Sequence, residues 1–524
     1  MSLADIWYAS PLYRPFISGK PPSRLSHLPP AGRLGDPERG TAIRNGQLTI
    51  GKESLRLESA PWSARTLSHA AQLQLQNFCW LDDLAAIGGE DARNVARRLV
   101  ASWIDDHEHW SATAWAPEIL GTRVASWLTH AALLAKGDDD ALDQRILESL
   151  TRQMRHLRRT ATKSLNPLGR IMALRGLIYG TACGVAPAAQ LTTALHAFEN
   201  ELVHQFFADG GHRSRSPSLQ LQALSAAIDI RDMLAIAGQA TPPPIEAAIT
   251  RMASVGRLCR HGDGGLAAFN GSTESSALAD ALLSKIPASV VSDSAVDSGF
   301  ERLVAGSTLV ILDAGGFPEP GYDSLGHAGT LAFEMSCGRD RLIVNCGASP
   351  DPNLSAAQRS TAAHSTLTID DTNSSDITGP TRRARINEKL RETAEGNAWL
   401  TAAHDGYSAN FGLTHRRRIY LSSDGTDLRG EDTLTGPHHG QGVARFHLHP
   451  DVSASLVQNG AAVLLRLPSG SAWRLEVRGG RLDVSESLYT AGPAGRRRTE
   501  QITIAITLGG EGAQIKWALK RLSS

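Results

Sequence analysis

Residues 307–315, STLVILDAG, and 330–347, TLAFEMSCGRDRLIVNCG, are where the reading of this chain turns. Both are short apolar runs, rich in β-branched residues, broken by Gly, Asp and Asn, and too short for helices. Gly338-Arg339 lies where a hairpin would turn between two strands. Downstream, HSTLTIDD, RRRIYLSSDG, VARFHLHP, AVLLRLPSG, SAWRLEVRGG and QITIAITLGG repeat this texture at spacings of roughly 10–20 residues. No helical window of comparable strength interrupts them. Strands without intervening helices pair antiparallel and stack face to face, so this half reads as a β-sandwich.

Upstream the period is different. Val95, Leu99 and Trp103 recur every four residues, and Leu120, Val124, Trp127, Leu128, Ala131 and Leu134 form a second apolar stripe. Further helical windows cover about 64–87, 141–160, 170–180, 188–207, 217–238 and 243–258. Gly88-Gly89 and Gly137 sit at helix ends, and Pro117, Pro187, Pro217 and Pro242 to Pro244 near helix starts. Short breaks between so many helices suit stacked hairpins: a bundle, a solenoid or an α/α toroid. Before residue 61 the chain is rich in Pro and Gly, and Leu48, Ile50, Leu55 and Leu57 alternate with polar residues as in a small hairpin. The expected organisation is an extended or β arm over 1–60, an all-α domain over 61–285, and a β-sandwich over 286–524, with the boundary in 286–298.

The 524 residues carry 53 Lys+Arg against 53 Asp+Glu, and 41% are apolar. That balance excludes a dedicated nucleic-acid binder, which carries a basic excess, and a globally disordered chain. Five cysteines without CxxC spacing read as buried thiols rather than a disulfide framework. No apolar run is long enough to span a membrane, and the N-terminus lacks the apolar core of a secretory signal, so a cytoplasmic location is expected.

Three loops carry candidate chemistry. Residues 209–217, DGGHRSRSP, lie between two helical windows and must be irregular. His212 can change protonation near neutral pH, and Arg213 and Arg215 can grip carboxylates; the same residues also read as a capped interhelical turn. Residues 261–265, HGDGG, lack phosphate-loop spacing and read as a Gly-rich helix exit. Residues 322–329, YDSLGHAG, precede strands bearing Asn345 and His364. Two imidazoles and an amide can hold a divalent transition metal, Asn being a weaker ligand than Asp. Hairpin register puts Asn345 about five residues, roughly 16 Å, from His327, so the loop before Thr330 must fold back for a shared ion. Arg416–Arg418 reads as a solvated strand end, and Trp103 and Trp127 as core. No GxSxG, Walker, HExxH or Rossmann signature stands between a strand and a helix.

Together these segments resemble the heparinase II/III-like polysaccharide lyases, in the family's order and over most of the chain. WAPEILGTRVASWL (Trp115, Arg123, Trp127) and DGGHRSRSP match in the helical half. GHAGTLAFEMSCGRDRLIVNCG, RSTAAHSTLTIDD and HDGYSANFGLTHRRRIYLSSDG match in the β half. The resemblance implies an α+β multidomain chain, an N-terminal α/α toroid followed by a C-terminal antiparallel β-sandwich. It implies β-elimination on a uronic-acid-containing polysaccharide, an acidic saccharide partner, and a structural metal, zinc first, on two His and one Asp. Lyases of this family commonly work in the cell envelope, which is the alternative location.

Carried over position by position, the family's helical-motif tyrosine falls on Leu219, followed by Gln220, and its catalytic histidine falls on Leu325. The metal ligands fall on His327, Asn345 and His364, so the site is expected to bind weakly or stand empty. The neutralising Asn or His falls near Asn166. Leu cannot transfer a proton, and one lost general acid or base costs about 10²–10⁴-fold. A surviving lyase therefore needs substitutes: His212 as base, Arg215 as carboxylate clamp and Tyr322 as acid. The competing reading is a catalytically inactive saccharide-binding or envelope-assembly protein. A toroid glycoside hydrolase using Asp105, Asp106 and Glu108 ranks last.

Overall fold

The computed structural model describes the chain apart from residues 1–2, 31–34, 52, 58–60, 64–65, 136–139, 288–291, 350, 380 and 523–524. Gly137 and part of the boundary stretch 286–298 lie outside the described residues. The chain forms two compact units, residues 1–204 with 225–249, and residues 205–224 with 250–524.

The first unit is helical. Its only strands among the described residues are Gln47–Ile50 and Glu53–Arg56, a hairpin in which Leu48 pairs with Leu55. The segment before residue 61 is more helical than its Pro and Gly content suggested, with Leu3–Ala9, Arg14–Ile17 and Pro37–Arg44. The last begins where Asp36 accepts from the Glu38 and Arg39 amides and Pro37 supplies a preset φ. Gly89–Asp106 buries the expected stripe of Leu99, Val100, Trp103 and Ile104. Trp103 and Trp127 meet edge to face at 5.4 Å in the core.

Pro117–Thr129 and Pro167–Ala182 pack so closely that their backbones touch. A Cβ on Gly176 would lie 2.2 Å from the Gly121 carbonyl oxygen, and one on Gly121 would lie 2.5 Å from Ala173 Cα. A side chain at either position would force the helices apart, which is why both are Gly.

Two antiparallel sheets make up most of the second unit. One has eight strands in the order Ser453–Val457, Ala462–Arg466, Ala472–Arg478, Gly512–Arg521, Asp427–Thr435, Leu413–Leu421, Asn397–Tyr407, Ile386–Ala394. The other has nine: Arg481–Tyr489, Arg497–Leu508, Gly440–Leu448, Asp340–Val344, Phe333–Cys337, Thr308–Asp313, Phe300–Ala305 and Ser294–Ala295, with Leu367–Ile369 also paired to Gly440–Leu448. The hairpin turns at Gly338-Arg339, with Cys337 opposite Asp340. Apolar residues of both sheets fill one core, where Phe333 of one stacks on Trp517 of the other at 5.3 Å. The architecture is thus the toroid-then-sandwich order expected from the sequence.

Strand alternation corrects one expectation. In Leu413–Leu421 the residues Leu413, His415, Arg417, Ile419 and Leu421 point inward, so Arg417 is fully buried while Arg416 and Arg418 face out. The arginine run is not simply a solvated strand end, because period 2 sends its middle member into the core. The outermost strand Ile386–Ala394 carries Glu388, Lys389, Arg391 and Glu392, all at least partly exposed.

Candidate functional site

The loop between helices Leu191–Gln205 and Pro217–Ile236 is built by its own side chains. Asp209 accepts from the Gly211 amide at 2.8 Å with one oxygen. Its other oxygen takes the amides of Asp297 and Ser298 at 2.9 and 2.7 Å. Gly210 has φ +92°, and Gly211 lies so close to Ser298 that a Cβ would approach within 2.3 Å. Gln220 ties the loop from inside: its carbonyl accepts from the His212 amide at 2.7 Å, and its amide donates to the Gly210 and Met252 carbonyls.

His212 is buried by this arrangement. The Ser214 amide, at 3.1 Å, donates to Nδ1, so Nδ1 holds the lone pair; the Ser214 hydroxyl lies 2.7 Å from the same nitrogen. Nε2 then carries the proton and donates to Gln205 Oε1 at 3.3 Å. Burial pushes its pKa down to about 3. The ring is neutral, and both nitrogens are occupied. Tyr322 does come to it, the two rings meeting edge to face at 6.0 Å.

Arg215 is locked elsewhere. It takes a left-handed φ of +54° and points toward the sheet of its own unit, with Nη2 on Asp313, Nε on the Ser298 carbonyl at 2.7 Å and Nη1 on the Gly316 carbonyl at 2.5 Å. The ion pair is buried on both sides. A guanidinium held by three protein acceptors makes a strut between loop and sheet, not a clamp for an incoming carboxylate. Arg213 lies further out and reaches Glu319 at 3.1 Å.

Asn270 links this loop to the next. Its amide donates to the Arg215 carbonyl at 2.9 Å, and its oxygen accepts from the His327 amide at 3.0 Å. His327 and His364 converge, with Nδ1 of the first 3.0 Å from Nε2 of the second. His364 Nδ1 donates to the Ser360 carbonyl at 2.7 Å, so its Nε2 offers the lone pair. Asn345 is engaged at both ends, its oxygen accepting from the Ser365 amide at 2.9 Å and its amide donating to Glu334 at 2.9 Å. Among the described residues no group of three His, Cys, Asp or Glu is placed to hold a metal ion. The two imidazoles suit a divalent ion; the third position, an amide already bonded at both atoms, does not.

Glu334 organises the surroundings. It accepts from His261 at 3.0 Å, from the Ala268 amide at 3.0 Å and from Asn345, with Arg341 at 3.8 Å. These partners hold its carboxyl below the usual range although burial opposes them. His261 is thereby a fully buried part of a network, within the Gly-rich exit expected for HGDGG. Sequence reasoning passed over both Glu334 and Asn270. A lone carboxylate in the apolar strand LAFEMSC was a usable signal, since buried Glu is rare unless paired. Asn270, from another part of the chain, had none.

Asn166 is exposed at the N-cap of Pro167–Ala182 in the first unit, with no capping bond from its side chain. Asp105 and Glu108, of the hydrolase reading, are in ion pairs with Arg145 and with Arg14 and Arg152.

Comparison with known proteins places this geometry. The heparinase II/III-like C-terminal family matches residues 289–518. FtsZ-localized protein C of Caulobacter vibrioides is 33% identical over 542 residues, covering 98% of this chain and 93% of that protein. The chain belongs to the heparinase II/III-like family. Solved structures agree on the fold: heparinase III at TM-score 0.77 and 12% identity, covering 98% of this chain and 89% of that one. Heparan sulfate lyase HepC from Pedobacter heparinus follows at TM-score 0.66 and 15% identity, over 93% and 83%. Within that family, this chain places Leu219, half-buried beside the Ser216 hydroxyl, where the resemblance puts a tyrosine, and Leu325, packed against Gly271, where it puts a histidine.

Proposed function

We propose that this chain is a non-catalytic member of the heparinase II/III-like family that keeps the fold as a binding scaffold for acidic saccharide and localises with FtsZ. One observation carries the loss of catalysis: the only imidazole in the 209–217 loop is neutral, buried and bonded at both nitrogens. Elimination needs a base with a free lone pair beside the sugar and a group to protonate the leaving oxygen. Leu219 and Leu325 supply neither, and Arg215 is committed to Asp313. Support for the FtsZ association is the full-length similarity to an FtsZ-localized protein. It favours a site of action on the cytoplasmic side, and no helix among the described residues is long and apolar enough to cross a membrane. A divalent ion, zinc first, would have His327 and His364 as its protein ligands, a weak set because Asn345 is committed to Ser365 and Glu334.

Two measurements test this reading. Incubation with uronate polymers should give no rise in the ultraviolet absorbance of unsaturated uronate. A fluorescent fusion in the native host should gather where FtsZ gathers; diffuse signal in dividing cells removes that half of the proposal. The edge contact of Tyr322 with His212 favours one second reading, a weak lyase using that pair. Wild-type product formation lost in both His212→Ala and Tyr322→Phe would establish it instead.

A further inference from the structure

The eight-stranded sheet has a second face, turned from the core, whose side chains lie in register across five strands. Arg478, Lys516, Glu431 and Arg418 form one row. The next row is Glu476, Ala518, Arg429, Tyr420 and Trp399. Ala518 is the small residue at the centre, with long side chains on every side, and the result is a groove of ≈ 640 Å³. Its lining holds five basic side chains, the fifth being Lys520, against two carboxylates. In a chain of zero net charge this is a local positive excess.

The aromatic wall is fixed in place. Trp399 and Tyr420 are a cross-strand pair with rings 5.1 Å apart, and the Arg429 guanidinium lies 5.4 Å over Tyr420. Asp427 holds Arg429 through Nε at 2.9 Å, and the Tyr420 hydroxyl donates to Asn397 at 3.1 Å. Lys516 and Arg418 have carboxylate neighbours in Glu431 and Glu392 at 3.1 and 3.6 Å. For Arg478 and Lys520 no ion pair is seen among the described residues, so they offer charge to a ligand.

We propose that this groove binds an acidic oligosaccharide. The C–H face of a pyranose ring rests on Trp399, a carboxylate or sulfate meets Arg478 and Lys520, and Glu431 and Glu476 accept from sugar hydroxyls. Those two carboxylates favour a ligand rich in hydroxyl donors, which a saccharide is and a DNA backbone is not. A sheet face also offers no free backbone edge to which an acidic peptide could add a strand. A wall already rigid loses little entropy on binding. The proposal deepens the saccharide part of the function above and is independent of FtsZ localisation, which is read in cells.

The test is calorimetric titration of the full chain with a heparin-derived hexasaccharide, maltohexaose, oligo-dT and poly-glutamate. The heparin hexasaccharide should bind with an affinity that falls as salt rises, and maltohexaose should not bind. Trp399→Ala should weaken binding about tenfold, the upper end of what one aromatic ring contact contributes beyond its buried area. Arg478→Ser with Lys520→Ser, exposed changes that leave the core untouched, should weaken it tenfold or more. Unchanged binding in the double variant, or no binding by wild type, overturns the site. Equal binding of oligo-dT or poly-glutamate with the same sensitivity overturns its assignment to saccharide.

Discussion

His327 and His364 meet at 3.0 Å, and His404 and His415 meet at 3.2 Å; in both pairs the rings stand nearly perpendicular. Both pairs are buried in the second unit, and burial holds all four imidazoles below their ordinary pKa. The third member separates them. His415 Nε2 donates to Asp432 at 2.8 Å, and Asp432 also takes Arg417 through Nε at 2.7 Å and Trp517 Nε1 at 3.1 Å. Arg417 uses its remaining reach on the Leu331 and Ser365 carbonyls. The first pair is anchored instead by the Ser360 carbonyl, which accepts from His364 Nδ1 at 2.7 Å, while Asn345 spends its amide on Glu334. An imidazole pair in a protein interior thus has no fixed meaning. One pair is anchored to a buried carboxylate that also holds an arginine, the other to a backbone carbonyl.

Acid should separate these two kinds of setting most strongly. His212 and His156 are held by neutral partners, Ser214 and Gln205 for one and Tyr13 for the other, and burial takes each down to about 3. In the unfolded chain each gains its proton near pH 6.5, so their contribution is complete above that pH. It is lost as pH falls toward 3, at about 1.4 kcal/mol per pH unit for each ring. Asp432 is held well below the ordinary carboxylate range by Arg417 and His415, although burial opposes them. Its share persists to about pH 4 and is lost only below that. Denaturant titrations at stepped pH should therefore show stability flat above about 7 and falling from 6.5 to 4; a flat profile to pH 4 contradicts the assignment.

Next in size is Asp432→Asn. It leaves the buried Arg417 charge without a carboxylate and should cost about 3–5 kcal/mol in chemical unfolding. A loss under 1 kcal/mol would mean that Arg417 is satisfied by carbonyls alone.

Asn345→Asp sharpens the comparison from the other side. It places a carboxylate against Glu334, whose oxygen now accepts from the Asn345 amide, and should destabilise the chelator-treated protein by about 1–3 kcal/mol. Zinc should recover that loss and reach one equivalent by elemental analysis, while the wild type stays substoichiometric. Equal zinc in both proteins would show that residue 345 does not control the site.

The smallest effect belongs to Arg416→Ala. Arg416 pairs with Glu388 at 2.9 Å on the open face, and its removal should change stability by no more than about 1 kcal/mol. Arg417→Ala, one residue on, should resemble Asp432→Asn.

Whatever depends on period was legible in the chain. The stripe of Leu99, Trp103 and Ile104 follows from a spacing of 3.6, and the Gly338-Arg339 turn from its glycine between two apolar runs. The inward Arg417 was missed, although a spacing of 2 in Leu413–Leu421 would have shown it. The convergence of His327 with His364 rested on the family resemblance. What remained hidden was partnership across long sequence separations. DGGHRSRSP has the same letters whether Arg215 faces solvent or Asp313, which lies 98 residues away. Asn270 and Glu334 become significant only once loops from four parts of the chain meet around them.

The charged outer strand Ile386–Ala394 has a consequence for how copies of this protein meet. An eight-stranded sheet ends in a row of unpaired amides and carbonyls that invites another strand. Here Arg391 is drawn sideways to Asp293 and Glu301, and Lys389 donates to the Val296 carbonyl at 2.7 Å. A second copy seeking to extend the sheet would have to strip those ion pairs and crowd the charged side chains of Glu388, Arg391 and Glu392. The border that ends the sheet thus also guards against fibre-like growth at high local concentration.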